Sequence, residues 1–211
     1  MLQARIIPVT PFSQNCCLLF DGEQKLGVVV DPGGDVPDIL AAIEQQGVKV
    51  EAIWLTHGHI DHAGGAMALK DALGVEIIGP ERSDEPLMQR IEDQARMFGV
   101  GGDYQNATPD RWLVDGDRLS IAGHEFEVIH APGHSPGHVV FYNRAAGFLH
   151  AGDVLFAGSI GRTDLPGGSH ETLLATIRNK ILPLGDEIGF ICGHGPGSRL
   201  GDERRTNPFL V

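Results

Sequence analysis

Apolar positions along this chain follow two different periods, and together they predict a mixed α/β protein. Short apolar and β-branched runs bounded by turn residues indicate buried strands. In the first half of the chain these runs cover residues 5–9, 15–20, 26–30, 50–55 and 75–78. Apolar residues spaced three and four apart predict helices over residues 36–46 and 63–73.

From Arg118 onward the same pattern repeats. Strand-like runs cover residues 119–121, 125–129, 139–142, 148–151 and 188–191, and a helix is predicted from about Ser169. Two β-sheets packed face to face, each covered on its outer side by helices, would accommodate both halves. No linker or low-complexity segment interrupts the sequence, so we expect residues 1–211 to form a single domain.

The densest chemical signal is the run THGHIDH at residues 56–62. It supplies the imidazoles of His57, His59 and His62 and the carboxylate of Asp61 within six positions. Imidazole and carboxylate are the ligands that hold zinc and iron outside thiolate sites. Because the run lies between a predicted strand and a predicted helix, its side chains can converge on one point.

Three further side chains follow predicted strands in the same way. They are His134, Asp153 and His194, each next to a glycine or in a glycine-proline turn. In layered α/β folds, sites gather at the carboxyl ends of strands. The resulting seven candidate ligands exceed what one four-coordinate zinc needs, and they suit two metals that share a carboxylate.

Composition removes several classes of function. The formal charge of −12 disfavours a nucleic-acid partner, which would require a basic surface. No segment approaches the length of a membrane span, and residues 1–9 do not form a signal peptide. Three cysteines, two of them adjacent, do not make a disulfide framework. We therefore expect a cytoplasmic protein, and the oligomeric state is left open.

The HxHxDH signature, followed in order by His134, Asp153 and His194, resembles the metallo-β-lactamase superfamily. The motifs DPGG at residues 31–34, GRTD at 161–164 and NPFL at 207–210 extend this likeness over essentially the whole chain. Within the superfamily the chain resembles the glyoxalase II (hydroxyacylglutathione hydrolase) branch, in its short bacterial YcbL-type form. The resemblance implies a four-layer αββα sandwich of two mixed β-sheets flanked by helices, with a metal site at one edge between the sheets.

The same resemblance implies a ligand set and a reaction. The first metal would be held by His57, His59 and His134, the second by Asp61, His62 and His194, with Asp153 bridging the two. Two divalent ions are expected, zinc first, with iron or manganese as alternatives. The implied reaction is hydrolysis of a small-molecule thioester, S-D-lactoylglutathione or a related hydroxyacylglutathione, by a metal-bridging hydroxide. Asp61 is the candidate catalytic residue, because it can orient the nucleophile while it binds the second metal.

Three other functions compete with this interpretation. A mononuclear Fe(II) persulfide dioxygenase of a neighbouring branch would use fewer of the seven ligands. A non-catalytic binding module would have lost ligands, whereas all seven are present. Hydrolysis of β-lactam antibiotics is disfavoured, because β-lactamases of the superfamily usually carry cysteine at the position of Asp153.

Some residues keep two interpretations. In residues 81–99, the spacing of Leu87, Ile91, Ala95 and Phe98 predicts one helix packed on the body; alternatively, Met97 and Phe98 border a substrate cleft.

Arg162 also has two interpretations: it forms an ion pair with Asp164 across a turn, or it contacts the substrate. Asp31 is expected to orient a ligand imidazole, and His138 is expected to lie behind the ligands. The short stretch after His194 leaves glutathione specificity open.

Overall fold

The computed structural model describes residues 1–102 and 104–211 and places two β-sheets face to face between two layers of helices. The predicted αββα sandwich is therefore confirmed. No helix in the described ranges is long and apolar enough to cross a membrane.

The first sheet is built from the first half of the chain. Its strands, in spatial order, are β1 (Leu2–Val9), β2 (Gln14–Asp21), β3 (Leu26–Val30), β4 (Lys49–Trp54), β5 (Glu76–Glu81) and β6 (Arg111–Leu113). The first three strands are antiparallel, and the pairs from β3 to β6 are parallel. Parallel neighbours need crossover connections, which are made by α1 (Val36–Gln46) and by α2 (Ile60–Ala63) with α3 (Ala66–Leu73).

The second sheet is built from the second half. Its strands are β7 (Arg118–Ile121), β8 (His124–His130), β9 (Val139–Asn143), β10 (Phe148–His150), β13 (Gly189–Ile191) and β14 (Ser198–Arg199). A small hairpin joins β11 (Leu155–Phe156) to β12 (Ser159–Ile160). Helices α6 (His170–Thr176) and α7 (Leu200–Thr206) complete this half. The helix predicted to begin near Ser169 is present as α6, and the Ser169 side chain caps it by accepting a hydrogen bond from the Thr172 amide.

Three apolar clusters fill the three interfaces between the four layers. Strand β2 shows how one strand serves two of them, because successive side chains point to opposite faces of a sheet. Leu18 packs toward the helices α1 and α3, whereas Cys17 and Leu19 pack toward the second sheet. Trp54 and Phe126 meet edge to face at 5.3 Å in this central layer. A strand that is buried on both faces has a continuous run of apolar residues, which is why the sequence predicted β2 as a buried strand.

Two helix predictions differ from the structure. The helix expected over residues 63–73 is interrupted at Gly64 and Gly65, where the Gly65 amide donates to the Pro32 carbonyl at 2.8 Å. The single helix expected within residues 81–99 is wrong: the segment forms α4 (Glu85–Met88) and α5 (Ile91–Phe98).

The inward face of this segment also differs from the prediction. The buried positions of the two helices are Met88, Ile91 and Gln94. Gln94 is buried although it is polar, because its side chain hydrogen-bonds the Ile60 amide and the Leu87 carbonyl.

Candidate metal centre

All seven predicted ligands lie together at the carboxyl ends of strands from both sheets. The first sheet contributes His57, His59, Asp61 and His62 after β4, and the second contributes His134, Asp153 and His194 after β8, β10 and β13. Their donor atoms form three overlapping groups in which every donor atom lies within 4.8 Å of the others in its group. The ligand roles of these residues remain a prediction, and the structure supplies the geometry on which it rests.

The first group is made of three imidazoles. His59 Nδ1 lies 2.9 Å from His134 Nε2, which lies 3.2 Å from His57 Nε2. The outer nitrogens are occupied, because His57 Nδ1 donates to Thr56 Oγ1 at 3.0 Å and His134 Nδ1 donates to the Arg162 carbonyl at 2.8 Å. The inner Nε2 atoms of His57 and His134 therefore carry lone pairs that point at each other.

Burial keeps the rings of His57 and His59 neutral. It lowers the pKa of His57 well below the usual range, and it lowers the pKa of His59 to about 3. Neutral imidazole with its outer nitrogen held by a hydrogen bond is the form in which histidine binds a metal.

The second group combines two imidazoles with a carboxylate. Asp61 Oδ2 lies 3.1 Å from His194 Nε2 and 3.8 Å from His62 Nε2. Here too the outer nitrogens are held, since His62 Nδ1 donates to Asp31 Oδ2 at 2.9 Å and His194 Nδ1 donates to the Phe12 carbonyl at 3.2 Å. The inner Nε2 atoms of both rings therefore face the Asp61 carboxylate.

Asp153 lies between the two groups. Its Oδ1 is 3.3 Å from His62 Nε2, and its Oδ2 is 3.6 Å from His134 Nε2 and 3.5 Å from His194 Nε2. A carboxylate that contacts members of both groups has the position required of a bridging ligand.

The cluster fits divalent cations on the chemistry of its own atoms. His62 Nε2 and Asp153 Oδ1, which face each other within the cluster, are buried and have no hydrogen-bond partner among the described residues. Burial opposes a charge on His62, yet the carboxylates of Asp153, Asp61 and Asp31 raise its pKa well above the usual range. Opposed lone pairs and converging carboxylates both require positive charge between them, and a divalent cation supplies it.

Asp31 orients imidazoles of both groups. Its buried carboxylate accepts from the Thr56 amide and hydroxyl at 2.7 Å each, as well as from His62. Because Thr56 Oγ1 also accepts from His57 Nδ1, one carboxylate sets the ring orientation of His57 indirectly and of His62 directly. Asp31 thus holds the imidazole of a predicted ligand, as the sequence led us to expect, and the ligand role of that imidazole stays a prediction.

Asp84 is a structural residue of the site that sequence reasoning missed. It is fully buried, and its Oδ2 accepts from the Gly58 amide at 2.9 Å and from Ser135 Oγ at 2.8 Å. Its Oδ1 accepts from the Gly137 amide at 2.6 Å. Burial raises the pKa of this carboxyl despite these bonds. Asp84 thus joins the ligand loop of the first sheet to that of the second.

Other candidates occupy supporting positions. His138 stacks on His57 with ring centroids 4.7 Å apart, and its Nε2 accepts from the Asp153 amide at 3.0 Å. Cys192 Sγ donates to the carbonyls of His194 and Pro196, and burial raises the pKa of this thiol to about 11.

Arg162 pairs with Asp164 through two hydrogen bonds of 2.8 Å, as one of its two interpretations predicted. It also lines the cavity above the cluster.

The cavity above the cluster has a volume of about 370 Å³. Its lining includes the aromatic rings of Phe12, Phe98 and Phe156 and the carboxylates of Asp61 and Asp153. Met97 and Phe98 both line a second cavity beside it, which is the position that their cleft interpretation requires; that the cavity takes substrate stays a prediction.

Comparison with known proteins agrees with this geometry. The chain is 45% identical over 210 residues to the hydroxyacylglutathione hydrolase GloC of Haemophilus influenzae, covering 99% of this chain and 98% of that one. Among solved structures, the BLEG-1 B3 metallo-β-lactamase superposes with a TM-score of 0.90 at 37% identity, covering 100% of both chains. TTHA1623 in a di-iron-bound form superposes with a TM-score of 0.89 at 39% identity, covering 98% of this chain and 100% of that one.

The family model for the metallo-beta-lactamase superfamily matches residues 9–194, which include all seven clustered side chains. Family membership and the histidine-aspartate cluster together show a site for divalent metal. The chain belongs to the metallo-β-lactamase superfamily.

Proposed function

We propose that this protein hydrolyses the thioester of a hydroxyacylglutathione, with S-D-lactoylglutathione as the first candidate, at a centre of two divalent metals. The observation that carries the proposal is the 45% identity, over nearly the full length of both chains, to a relative named as a hydroxyacylglutathione hydrolase. The complete cluster of five imidazoles and two carboxylates beside one cavity supports it.

The proposed ligand assignment follows the two groups of side chains. His57, His59 and His134 hold the first metal, and Asp61, His62 and His194 hold the second. Asp153 bridges them, in keeping with its contacts to both groups. Zinc is the proposed metal because imidazole and carboxylate suit it. Iron is the second candidate, since TTHA1623 was solved in a di-iron form, and manganese is the third.

Metals bound in this way supply Lewis acidity and lower the pKa of a coordinated water toward about 7. The side chain of Asp61 keeps 17% of its surface exposed and lines the cavity, so it can accept a hydrogen bond from the attacking water and orient it. Phe12, Phe98 and Phe156 add apolar surface to the lining of this cavity. A thiolate is a good leaving group, so cleavage of a thioester needs little assistance from a general acid.

The two-metal hydrolase is favoured over the single-iron persulfide dioxygenase by one observation. Asp61, His62 and His194 form a second group of converging donors, which a mononuclear centre would not need. The proposed substrate is a small molecule, and the acidic chain offers no feature for a nucleic acid. The cytoplasmic location stays a prediction.

The test combines metal analysis of the purified protein with thiol release from S-D-lactoylglutathione. We expect about two metals per chain and hydrolysis that Asp61→Asn reduces at least a hundred-fold. Asp71→Asn, an exposed carboxylate on α3, serves as the matched control. One iron per chain, no thiol release and O₂ uptake with glutathione persulfide would instead identify the dioxygenase. Turnover of a chromogenic cephalosporin without thioester hydrolysis would identify a β-lactamase.

A further inference from the structure

A second cavity, of about 450 Å³, opens beside the metal cluster and is walled largely by apolar side chains. The walls come from α4 and α5, from the loop after β8 and from the loop before α6, and include Leu87, Met97, Phe98, Pro136, Leu165 and Pro166. His59, Gln94, Phe98 and Leu165 line both this cavity and the one above the cluster. The two cavities are therefore neighbours that share one wall, and the second lies within reach of a molecule bound at the cluster.

Two large apolar side chains at this cavity are exposed. Met97 keeps 66% and Phe98 keeps 39% of its surface exposed to solvent. Scattered exposed apolar residues are ordinary, but a concave group of them beside a reactive centre marks a binding site. The charged groups at the rim neutralise each other, because Arg90 Nε donates to Asp93 Oδ2 at 3.1 Å.

The walls are held in place by contacts to the metal-ligand loops. Gln94 accepts from the Ile60 amide at 3.0 Å and donates to the Gly58 carbonyl at 3.3 Å, which fixes α5 to the loop that carries His59. On the opposite wall, a Cβ added at Gly167 would lie 2.6 Å from Pro136 Cγ, so these two loops are in close contact. The cavity is thus formed before any substrate enters.

We propose that this cavity binds the acyl arm of the substrate, and that the preferred substrates are 2-hydroxyacyl thioesters with a bulky apolar arm, aryl or branched alkyl. The inference rests on the proposed thioester hydrolysis. The glutathionyl half carries two carboxylates and an ammonium group, which would lose their hydration against leucine, methionine and phenylalanine. The acyl half carries no charge. A lactoyl group, with three carbons, would leave most of a cavity of this size unfilled.

The matched pair of substrates is S-D-lactoylglutathione and S-D-mandeloylglutathione, which differ only by phenyl in place of methyl. We expect kcat/KM for the mandeloyl thioester to be about ten-fold higher or more, because the added apolar surface is buried in the cavity. Met97→Gln and Leu87→Asn place amides of similar size in the wall and should lower the mandeloyl-to-lactoyl ratio by about ten-fold. Val114→Thr, an equally exposed apolar position that lines neither cavity, should leave the ratio unchanged.

The failures of the two proposals can be told apart. If neither thioester is hydrolysed by the metal-loaded protein, the proposed function itself is wrong. If lactoylglutathione is hydrolysed as efficiently as the mandeloyl thioester, or if both wall variants keep the wild-type ratio, the assignment of the cavity is wrong. The assignment would also be overturned if, with the acyl group held constant, kcat/KM rose with the apolar surface of the thiol. The thiol half of the substrate would then occupy the cavity.

Discussion

Asp31 Oδ2 lies 2.9 Å from His62 Nδ1, and neither side chain is accessible to solvent. Because a carboxylate can only accept, this bond places a proton on His62 Nδ1 and turns Nε2 toward the candidate metal centre. The orientation of this candidate metal-binding nitrogen is therefore set by a residue in the turn after β3, whereas the loop that carries His62 follows β4.

The first prediction concerns that carboxylate. Asp31→Asn should weaken zinc binding about ten- to a hundred-fold, the usual effect of losing an outer partner of a metal-bound histidine. The amide can donate to Nδ1, which would move the ring proton to Nε2 and point it at the metal. Competition with a chromogenic chelator measures the affinity. Asp202→Asn, an exposed carboxylate paired with Arg205, is the control and should bind zinc as the wild type does.

The second prediction concerns Asp84. Asp84→Ala should lower the free energy of unfolding by about 3 kcal/mol or more, because two buried amides and one buried hydroxyl lose their hydrogen-bond acceptor. Ser135→Ala removes only one of these bonds and should cost about 1 kcal/mol. Urea denaturation of the metal-free proteins measures both values. Equal costs for the two variants would show that Asp84 does not join the two loops.

The third prediction uses a matched pair of glycines. A Cβ at Gly193 would overlap Asp153 Oδ1 and lie 2.6 Å from His62 Cε1, whereas a Cβ at Gly189 meets nothing within 4 Å. Gly193→Ala should therefore displace the candidate bridging carboxylate and reduce metal content to one ion per chain or fewer. Gly189→Ala should keep the wild-type content. Metal analysis of the two purified proteins decides, and a full complement in Gly193→Ala would contradict Asp153 as the bridge.

The fourth prediction concerns removal of the metal. Without a cation, the inner lone pairs of His57 and His134 oppose each other at 3.2 Å, and His62 Nε2 faces the Asp153 carboxylate at 3.3 Å. Zinc at about 100 times its dissociation constant should add about 2.7 kcal/mol of stability. For a chain of this length that corresponds to a rise in Tm of about 5–10 °C over the chelated protein. Magnesium, which prefers oxygen ligands, is the control and should give no comparable rise.

Local signals in the sequence predicted much of this molecule. Strands such as β2 were recognisable because both of their faces are buried, which makes them continuously apolar. The seven clustered residues were recognisable because each of them either follows a strand or lies in the short run at residues 56–62. Asp84 gave no such signal, since its three partners lie 26, 51 and 53 residues away in the chain. It stands in a charged stretch where a surface position is the ordinary expectation.

The break between α4 and α5 escaped prediction for a related reason. The periodicity of apolar residues assumed that the inward face of the segment is apolar, but the structure buries the Gln94 amide there to satisfy backbone groups of Leu87, Gly58 and Ile60. Tertiary hydrogen bonds of this kind override local propensity. The three-residue strand β6 is too short to show a period at all.

The division of the seven clustered side chains between two sheets has a consequence for biosynthesis. Four of them are contributed by the first sheet, but His134, Asp153 and His194 reach the cluster only when the second sheet has paired. During synthesis the first group can be completed once His134 has been made, but the second has to wait for His194, 60 residues later. We therefore expect the first proposed metal position to become available before the second, and both metals to be in place only after the two sheets have packed together.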